Sequence, residues 1–172
     1  MSLFVSEKPN IEGLTYTPNY ITFEQEQFLI NKIDEQPWLA DIKRRVQHYG
    51  YKYDYKARKI TPNLKIGAIP DWLQILSYYD QVIVNEYCCG QGITPHIDCI
   101  PCFDDTICSL SLIEPCEMVF ERNNEKHSIT LEPRSLITMT GEARYKWKHS
   151  IPARKANVKN RRVSVTFRKV IL

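Results

Sequence analysis

The chain has 172 residues, 43% of them hydrophobic and 25% charged, and a formal net charge of +3. This length and composition are typical of one globular domain, so we expect residues 1–172 to form a single domain and a monomer. The sequence shows no secretory leader and no apolar run long enough to span a bilayer. We therefore expect an intracellular protein, cytoplasmic or nuclear, without a membrane segment.

The basic residues are concentrated in two tracts. Residues 144–172 contain ten Lys or Arg and no Asp or Glu, and residues 41–60 contain seven basic residues against Asp41 and Asp54. If the tracts meet in space, they predict a polyanionic partner such as nucleic acid. The alternative is that they are solvated charges on two unrelated faces.

The first predicted element is a helix over residues 22–37. Thr22 can cap it, Gln25 completes a capping box, and Pro37 ends the run. The buried stripe is expected to comprise Phe28, Leu29 and Ile33. A second short helix is predicted over residues 70–80.

Between these helices the sequence RRVQHYGYKYDYKARK places tyrosines at alternating positions beside basic residues. Aromatic rings next to phosphate-binding charges suit an unstacked base, which favours RNA or single-stranded DNA as the partner. The alternative is a strand whose tyrosines pack on the core, and it is favoured for Tyr49 and Tyr55. The candidate substrate contacts are Arg45, His48, Tyr49 and Tyr51.

After residue 79 the chain consists of short segments with period-two or β-branched patterns, separated by turn residues. They cover residues 81–88, 106–112, 117–122, 127–131, 135–141, 143–149 and 161–172. Regular short strands of this kind indicate a sandwich, barrel or jelly roll, here with N-terminal helices packed on the β-core.

All six cysteines lie between residues 88 and 116. In an intracellular protein we expect them to be reduced and partly buried. Cys99 and Cys102 have CxxC spacing, but a closed zinc site normally needs a second such pair. Whether the cysteines bind zinc stays open at this point.

Three polar residues could form a metal site. His96 and Asp98 are two residues apart on extended chain, so their side chains project to the same side. His149 ends the inward face of the strand predicted over residues 143–149. Two histidines and one carboxylate from two strands form the facial triad of non-haem iron oxygenases, which leaves coordination positions open for reactants. The alternative is a chance pair and a hydrogen-bonded core histidine.

The last strand has a polar face and an apolar face. The polar face comprises Arg162, Ser164, Thr166 and Arg168. Its two guanidinium groups can each bind a carboxylate by donating two hydrogen bonds, so together they suit a dicarboxylic acid. Asn85 and Tyr87 share a face of another strand and could bind the same acid. The alternative is that the polar face lies in solvent.

These residues resemble the AlkB family of iron(II)- and 2-oxoglutarate-dependent dioxygenases. The resemblance rests on Asn85-x-Tyr87, His96-x-Asp98, His149 and the segment RVSVTFR at residues 162–168, which looks like the family's Arg-x-Asn-x-Thr-x-Arg signature with Ser in place of Asn. Residues 48–55, 109–120 and 139–151 look most like the branch that hydroxylates a modified uridine at the tRNA wobble position.

The resemblance implies an α+β fold with a double-stranded β-helix (jelly-roll) core over residues 81–172. Residues 1–80 would supply N-terminal helices and a nucleotide-recognition lid. His96, Asp98 and His149 would bind Fe(II), with 2-oxoglutarate as cosubstrate and O2 as oxidant. Arg162 with Tyr87 would hold the distal carboxylate of 2-oxoglutarate. Arg168 and Asn85 would lie at its other end, and Ser164 and Thr166 would line the same cosubstrate site.

In the wobble-uridine branch the oxygenase is typically fused to an RNA-recognition module and a methyltransferase, so a separate RNA-binding or methyltransferase partner is implied. The expected activity is oxidation of nucleic-acid bases, either by demethylation of N-alkylated bases in DNA or RNA or by hydroxylation of a tRNA wobble uridine. Two alternatives are a protein or small-molecule oxygenase on the same fold, and a non-catalytic nucleic-acid-binding domain.

Overall fold

The computed structural model describes residues 9–40, 42–154 and 160–172. Asp41, Lys155 and Lys159, which contribute to the charge tracts, lie outside these residues. The helices are α1 (Phe23–Asp34) and α2 (Gly141–Tyr145), with 3-10 turns at Pro62–Leu64, Asp71–Leu73 and Ile100–Cys102. The strands are β1 (Leu14–Thr17), β2 (Val46–Tyr49), β3 (Gln81–Tyr87), β4 (Ile93–His96), β5 (Phe103–Leu112), β6 (Cys116–Arg122), β7 (Glu125–Leu131), β8 (Leu136–Met139), β9 (Lys148–Ile151) and β10 (Arg162–Val170).

The strands form two antiparallel sheets. The larger sheet has the order β1-β8-β5-β10-β3-β2 and the smaller one β4-β9-β6-β7. This agrees with the predicted α+β fold and jelly-roll core. Strands β1 and β2 precede residue 80 yet form the two edges of the larger sheet, so the boundary between a lid-bearing part and a catalytic core stays a prediction.

Helix α1 begins with the predicted capping box. The Thr22 hydroxyl accepts a hydrogen bond from the Gln25 backbone N–H, and the Gln25 side chain accepts one from the Thr22 N–H. Each bond satisfies a backbone donor that the first turn would otherwise leave without a partner. The helix ends at Asp34, before Pro37.

The predicted buried stripe of α1 is correct for Leu29 and Ile33 and wrong for Phe28, whose side chain is 51% exposed. The inward position one turn before Leu29 is occupied by Glu26 instead. Its carboxylate accepts a hydrogen bond from the Ile113 N–H at 2.8 Å and pairs with Arg134 at 2.9 Å. These partners offset the cost of burying a charge on the inner face.

Two other predicted elements differ from the structure. The helix expected over residues 70–80 is only the 3-10 turn Asp71–Leu73, because Gln74 leaves the helical conformation and its side chain binds the Ile69 carbonyl. The strand expected over residues 143–149 begins as α2 and becomes strand only at Lys148. Glu142 binds Lys146 one helical turn later at 2.7 Å, a contact that the helix allows and a strand does not.

Strand β10 separates two environments. Its apolar residues Val163, Val165 and Phe167 belong to a core that also contains Leu29 and Ile33 of α1. The opposite face of β10 points into the space between the sheets, where a second apolar core fills the remainder. Across the described ranges, none of the helices combines the length and apolar character that crossing a membrane requires.

Candidate metal and cosubstrate site

A cavity of about 590 Å³ lies between the two sheets. Both sheets contribute to its walls, and the segment between residues 53 and 58 lines part of it. All nine residues that the sequence assigned to the metal and the cosubstrate line this cavity. They are Asn85, Tyr87, His96, Asp98, His149, Arg162, Ser164, Thr166 and Arg168. The structure therefore brings together residues that are up to 83 positions apart in the chain (168 minus 85).

His96, Asp98 and His149 form one cluster. His96 ends β4 and is paired with His149 of β9 across the smaller sheet, with ring centroids 4.4 Å apart. Asp98 follows two residues after His96, and one ligand atom from each of the three residues lies within 4.8 Å of the others. Atoms at this spacing can share a single ion. Within the part of the chain that the structure describes, this is the one such group of three residues.

The protonation states of the cluster suit a cation. Burial lowers the pKa of His149 to about 4, so its imidazole is neutral near pH 7 and has a free lone pair. Burial alone would raise the pKa of Asp98, but Arg168 and the two histidines outweigh it and hold that pKa well below its usual range. One carboxylate and two imidazoles are the donor set of the two-histidine, one-carboxylate iron sites.

The orientation of His96 is also determined by a hydrogen bond. Its Nδ1 donates to the Thr94 carbonyl at 2.8 Å, so Nε2 is the atom left to bind a metal. That Nε2 lies 3.5 Å from Oδ1 of Asp98. The ring is therefore turned toward the carboxylate.

Arg168 holds the Asp98 carboxylate from the other side. Its Nε lies 3.2 Å from Oδ2 and its Nη2 lies 3.3 Å from Oδ1. The guanidinium also stacks over the Phe103 ring, 5.0 Å from the centroid, and binds Gln81. Two hydrogen bonds from a planar fork restrict the rotation of the carboxylate, so Arg168 positions Asp98.

Arg162 differs from Arg168 in having no anionic partner. Its side chain is 2% exposed; Nη2 donates to the Ser111 hydroxyl at 2.8 Å and the guanidinium lies 5.2 Å over the Tyr87 ring. Its Nε is buried without an acceptor, and no carboxylate among the described residues pairs with it. A buried cation is costly unless it is paired, so this side of the cavity suits a bound anion.

The other polar residues of the wall are linked to one another. Ser164 is paired with Asn85 of β3 on one side and with Ser111 of β5 on the other. The hydroxyl groups of Thr166 and Ser109 lie 3.3 Å apart. The larger sheet thus presents a continuous polar surface to the cavity, and the alternative that this face of β10 lies in solvent is excluded by its burial.

None of the four predicted substrate contacts lines the cavity. Arg45 binds Glu86 through two hydrogen bonds and stacks on Trp38. Tyr49 packs edge-on against Trp72, and burial raises its pKa to about 12. The remaining two are elsewhere: Tyr51 borders a separate, smaller cavity, and His48 is buried against Tyr55.

Neighbouring residues occupy the cavity wall instead. Arg44, Tyr53, Tyr55 and Arg58 all line it. The alternation assumed from the sequence fails because β2 ends at Tyr49 and Gly50 follows at a positive φ of 75°, which redirects the chain. Gly50 was the signal in the sequence that the strand ends before the later tyrosines.

The cysteines differ from expectation at one place. Cys99 and Cys102 are joined by a disulfide, so the prediction that all six are reduced is wrong for this pair. Cys88, Cys89, Cys108 and Cys116 are free thiols. The CxxC spacing therefore reflects a local cross-link directly after Asp98.

Comparison with known proteins agrees with this site. The model of the 2OG-Fe(II) oxygenase superfamily matches residues 39–168. The "Alkylated DNA repair protein ALKBH8 homolog" of Arabidopsis thaliana is 37% identical over an alignment that covers 99% of this chain and 61% of the relative. An uncharacterized protein of Acanthamoeba polyphaga mimivirus is 36% identical, covering 94% of this chain and 87% of the relative.

Solved structures share the fold. The structure of OsALKBH1 superposes with a TM-score of 0.73, 16% sequence identity, and coverage of 94% of this chain and 99% of that one. A Pseudomonas putida prolyl-4-hydroxylase superposes with a TM-score of 0.60 and 10% identity, covering 92% and 93% of the two chains. At these identities the likeness establishes the jelly-roll fold alone.

The chain belongs to the 2OG-Fe(II) oxygenase superfamily and, within it, to the AlkB family. The cofactors of that superfamily are Fe(II), 2-oxoglutarate and O2, as the sequence predicted. The chain spans 61% of the length of the Arabidopsis relative and 26% of that of a Xenopus tropicalis relative.

Proposed function

We propose that this protein is a dioxygenase that oxidises bases of nucleic acids, with His96, Asp98 and His149 holding Fe(II). The observation that carries the proposal is Arg162, a buried cation without an anion that faces the same cavity as this cluster. The distal carboxylate of 2-oxoglutarate would supply the missing partner, with Tyr87 beside it.

When bound, Fe(II) together with 2-oxoglutarate and O2 supplies the oxidation of a C–H bond of the substrate. The protein residues bind and orient. Arg168 keeps both oxygens of Asp98 in place. His149 stays unprotonated because it is buried, and the Thr94 carbonyl keeps His96 Nε2 directed into the cluster. The apolar residues between the sheets limit the entry of water.

The polar wall would align the cosubstrate. Asn85 accepts a hydrogen bond from Arg44 Nε at 2.9 Å, and this leaves its amide NH2 group on the cavity side of β3 as a donor. We assign Asn85 and Arg168 to the end of 2-oxoglutarate nearest the metal, and Ser164 and Thr166 to the surface between the two ends. A dicarboxylate then lies along β10 from Arg168 to Arg162.

The substrate would enter past Arg44, Arg58, Tyr53 and Tyr55. The guanidinium groups of Arg58, which is exposed, and of Arg44, which is half-buried, can bind phosphates while the tyrosine rings stack on a base, which is how unpaired bases are commonly held. Removing a base from a duplex costs a few kcal/mol, so RNA loops and single-stranded DNA are favoured. The names of two relatives agree: a DNA N6-methyl adenine demethylase of Caenorhabditis elegans, 28% identical, and the Xenopus tRNA (carboxymethyluridine(34)-5-O)-methyltransferase, 34% identical.

The proposal includes two forms of the reaction. Oxidation of a carbon attached to a base nitrogen gives a hemiaminal that loses formaldehyde, whereas a hydroxyl group placed on another carbon, as on a modified wobble uridine, remains. We also propose a monomer in the cytoplasm or nucleus that works with a separate RNA-binding or methyltransferase partner, in line with the name of the Xenopus relative.

Nucleoside mass spectrometry tests the proposal. The protein is incubated with Fe(II), 2-oxoglutarate and a mixture of tRNA and methylated DNA and RNA oligonucleotides, and His96→Ala serves as the control. Loss of methyl groups with formaldehyde release would establish demethylation, and gain of one oxygen on a tRNA uridine would establish hydroxylation. Succinate formation with every nucleoside unchanged would contradict the nucleic-acid proposal and point to a protein or small-molecule substrate.

A further inference from the structure

We propose that Cys99 and Cys102 are a reversible redox modification site that controls how the base reaches the cavity. The segment it would act on, here called the entrance wall, comprises residues 53–58, of which Tyr53, Tyr55 and Arg58 line the cavity. The inference rests on the proposed function, in which the nucleic acid enters the cavity beside Tyr53 and Arg58. It concerns a pair of residues to which no role in holding the metal or the cosubstrate is assigned above.

The pair lies directly beside the metal cluster. Cys99 follows Asp98 in the sequence, is half-buried and lines the cavity, whereas Cys102 is buried. Together they span the 3-10 turn Ile100–Cys102, which connects the metal-binding segment to β5. Of the two sulfur atoms, that of Cys99 is therefore the one that a small thiol can reach.

The backbone on both sides of this turn is held independently of the disulfide. Arg144 donates to the carbonyls of Asp98 at 2.9 Å, Cys99 at 3.2 Å and Phe103 at 3.4 Å. The Arg144 side chain is 2% exposed, so water does not compete for these bonds. Breaking the disulfide should consequently leave Asp98 in place, and its effect on the rest of the molecule should pass through the side chains of the pair.

Those side chains contact the entrance wall. The sulfur of Cys99 lies 3.4 Å from the Arg58 carbonyl, and that of Cys102 lies 4.0 Å from the same oxygen. Cys102 also belongs to an apolar cluster with Ile60 and Phe103, against which Tyr53 packs. A change at the pair is thus transmitted to the segment that carries Tyr53 and Arg58.

The direction of the effect follows from the loss of the cross-link. The disulfide fixes the half-buried side chain of Cys99 beside the Arg58 carbonyl, whereas a free thiol can rotate about its Cα–Cβ bond. Cys102 remains enclosed by the apolar cluster, so the freedom is gained at Cys99. Reduction should therefore loosen the wall and weaken the binding of nucleic acid, and oxidation should restore it.

The redox chemistry is ordinary thiol–disulfide exchange. In reduction, a glutathione thiolate attacks the sulfur of Cys99, and Cys102 leaves as a thiolate that takes up a proton. A second glutathione thiolate then attacks the mixed disulfide, releasing Cys99 and oxidised glutathione. In oxidation by hydrogen peroxide, one thiolate breaks the O–O bond to form a sulfenic acid and hydroxide, which becomes water. The second thiol condenses with the sulfenic acid to form the S–S bond and a second water.

The test compares the protein equilibrated in reduced and in oxidised glutathione buffers. Thiol alkylation and peptide mass mapping report the state of the pair, and fluorescence anisotropy reports the Kd for a labelled single-stranded 12-nucleotide RNA of mixed sequence. We expect the pair to interconvert reversibly and the Kd to rise about five- to tenfold on reduction, as for the loss of one stacking contact. The affinity for Mn(II) should not change, because Arg144 keeps Asp98 in place.

Two double variants separate this site from other effects of reductants. Cys99→Ser/Cys102→Ser should bind the RNA like the reduced protein in both buffers. Cys88→Ser/Cys89→Ser removes the two exposed free thiols and should keep the full redox response. The proposal is overturned if the Kd is the same in both mapped states, or if the Cys99→Ser/Cys102→Ser variant still responds.

Hydrogen exchange distinguishes this proposal from the proposed function. The backbone N–H groups of Asp54, Lys56 and Ala57 are bonded within the wall and should exchange faster after reduction. Equal exchange rates of these N–H groups in the reduced and oxidised protein would overturn the redox proposal, whether or not the RNA binds. Faster exchange with no RNA binding in either state would overturn the nucleic-acid function, while the coupling of the pair to the wall would stand.

Discussion

Two arginines with the same 2% exposure should respond oppositely to the same substitution. Arg162 has one hydrogen bond to Ser111 and a ring contact with Tyr87, and no carboxylate within the described chain pairs with it. Arg144 donates to three backbone carbonyls. If Arg162 binds a ligand and Arg144 stabilises the fold, then Arg162→Met should weaken ligand binding and Arg144→Met should lower the free energy of unfolding.

The magnitudes follow from these contacts. Arg162→Met loses about 1.5–3 kcal/mol from the charged hydrogen bond and about 1–2 from the cation–π contact, but it also removes a desolvation penalty of several kcal/mol. The ligand-free stability should therefore change by no more than about 1 kcal/mol. Arg144→Met removes the same penalty but loses three charged hydrogen bonds, together about 5–9 kcal/mol, so it should cost about 3–5 kcal/mol net and lower the Tm of a chain this long by about 6–15 °C.

Thermal unfolding with and without 2-oxoglutarate measures both effects, with Mn(II) in place of iron to prevent turnover. The wild-type protein should be stabilised by 2-oxoglutarate, because a ligand that binds only the folded state raises its stability. Arg162→Met should lose this response, since removing one partner of a buried charged pair costs about 2–5 kcal/mol, or about 30-fold to several-thousandfold in Kd. Arg144→Met should keep an upward shift from its lower Tm, because Arg168 still holds the Asp98 carboxylate.

The reasoning would be refuted by either of two results. If ligand-free Arg162→Met unfolds as early as Arg144→Met, Arg162 is part of the fold and not a ligand-binding cation. If 2-oxoglutarate stabilises Arg162→Met as much as it does the wild type, the cosubstrate binds elsewhere.

Three further predictions concern the metal cluster and the entrance. The pKa of His149 is lowered from 6.5 to about 4 in the fold, so the unfolded state binds more protons between these two pH values. The free energy of unfolding of the metal-free protein should therefore be highest above pH 6.5 and fall by about 3 kcal/mol toward pH 4. Urea titrations across this pH range would measure the fall, and His149→Gln should flatten it. His96→Ala and Asp98→Ala should each abolish succinate formation and weaken Mn(II) binding measured by electron paramagnetic resonance, and succinate at the wild-type rate in both would contradict the assigned cluster. Arg44→Ala removes a guanidinium that lines the cavity, so fluorescence anisotropy should show single-stranded RNA binding weakened about tenfold. Arg45→Ala should leave RNA binding unchanged, because Arg45 lies outside the cavity wall and pairs with Glu86. Equal losses would mean that the cavity wall is not the entrance.

The local patterns of the sequence determined which side chains share a face. Strand periodicity alone places Arg162, Ser164, Thr166 and Arg168 together on β10, because successive side chains of a strand alternate in direction. The capping box of α1 likewise depends on residues three apart and could be predicted from them. Most strand positions after residue 80 were predictable for the same reason: the signal is contained in a few neighbouring residues.

The tertiary structure decided what those faces meet. Val163 and Val165 pack into the core that also contains Leu29 and Ile33 of α1, and this burial turns the polar face of β10 into the cavity and not into solvent. The pairing of β4 with β9 brings His96 to His149 across 53 positions (149 minus 96), a distance in sequence at which no local pattern carries information. The same holds for the arginine at the cavity wall, where the sequence predicted Arg45 and the structure has Arg44. Arg45 instead donates two hydrogen bonds to the carboxylate of Glu86 on the neighbouring strand.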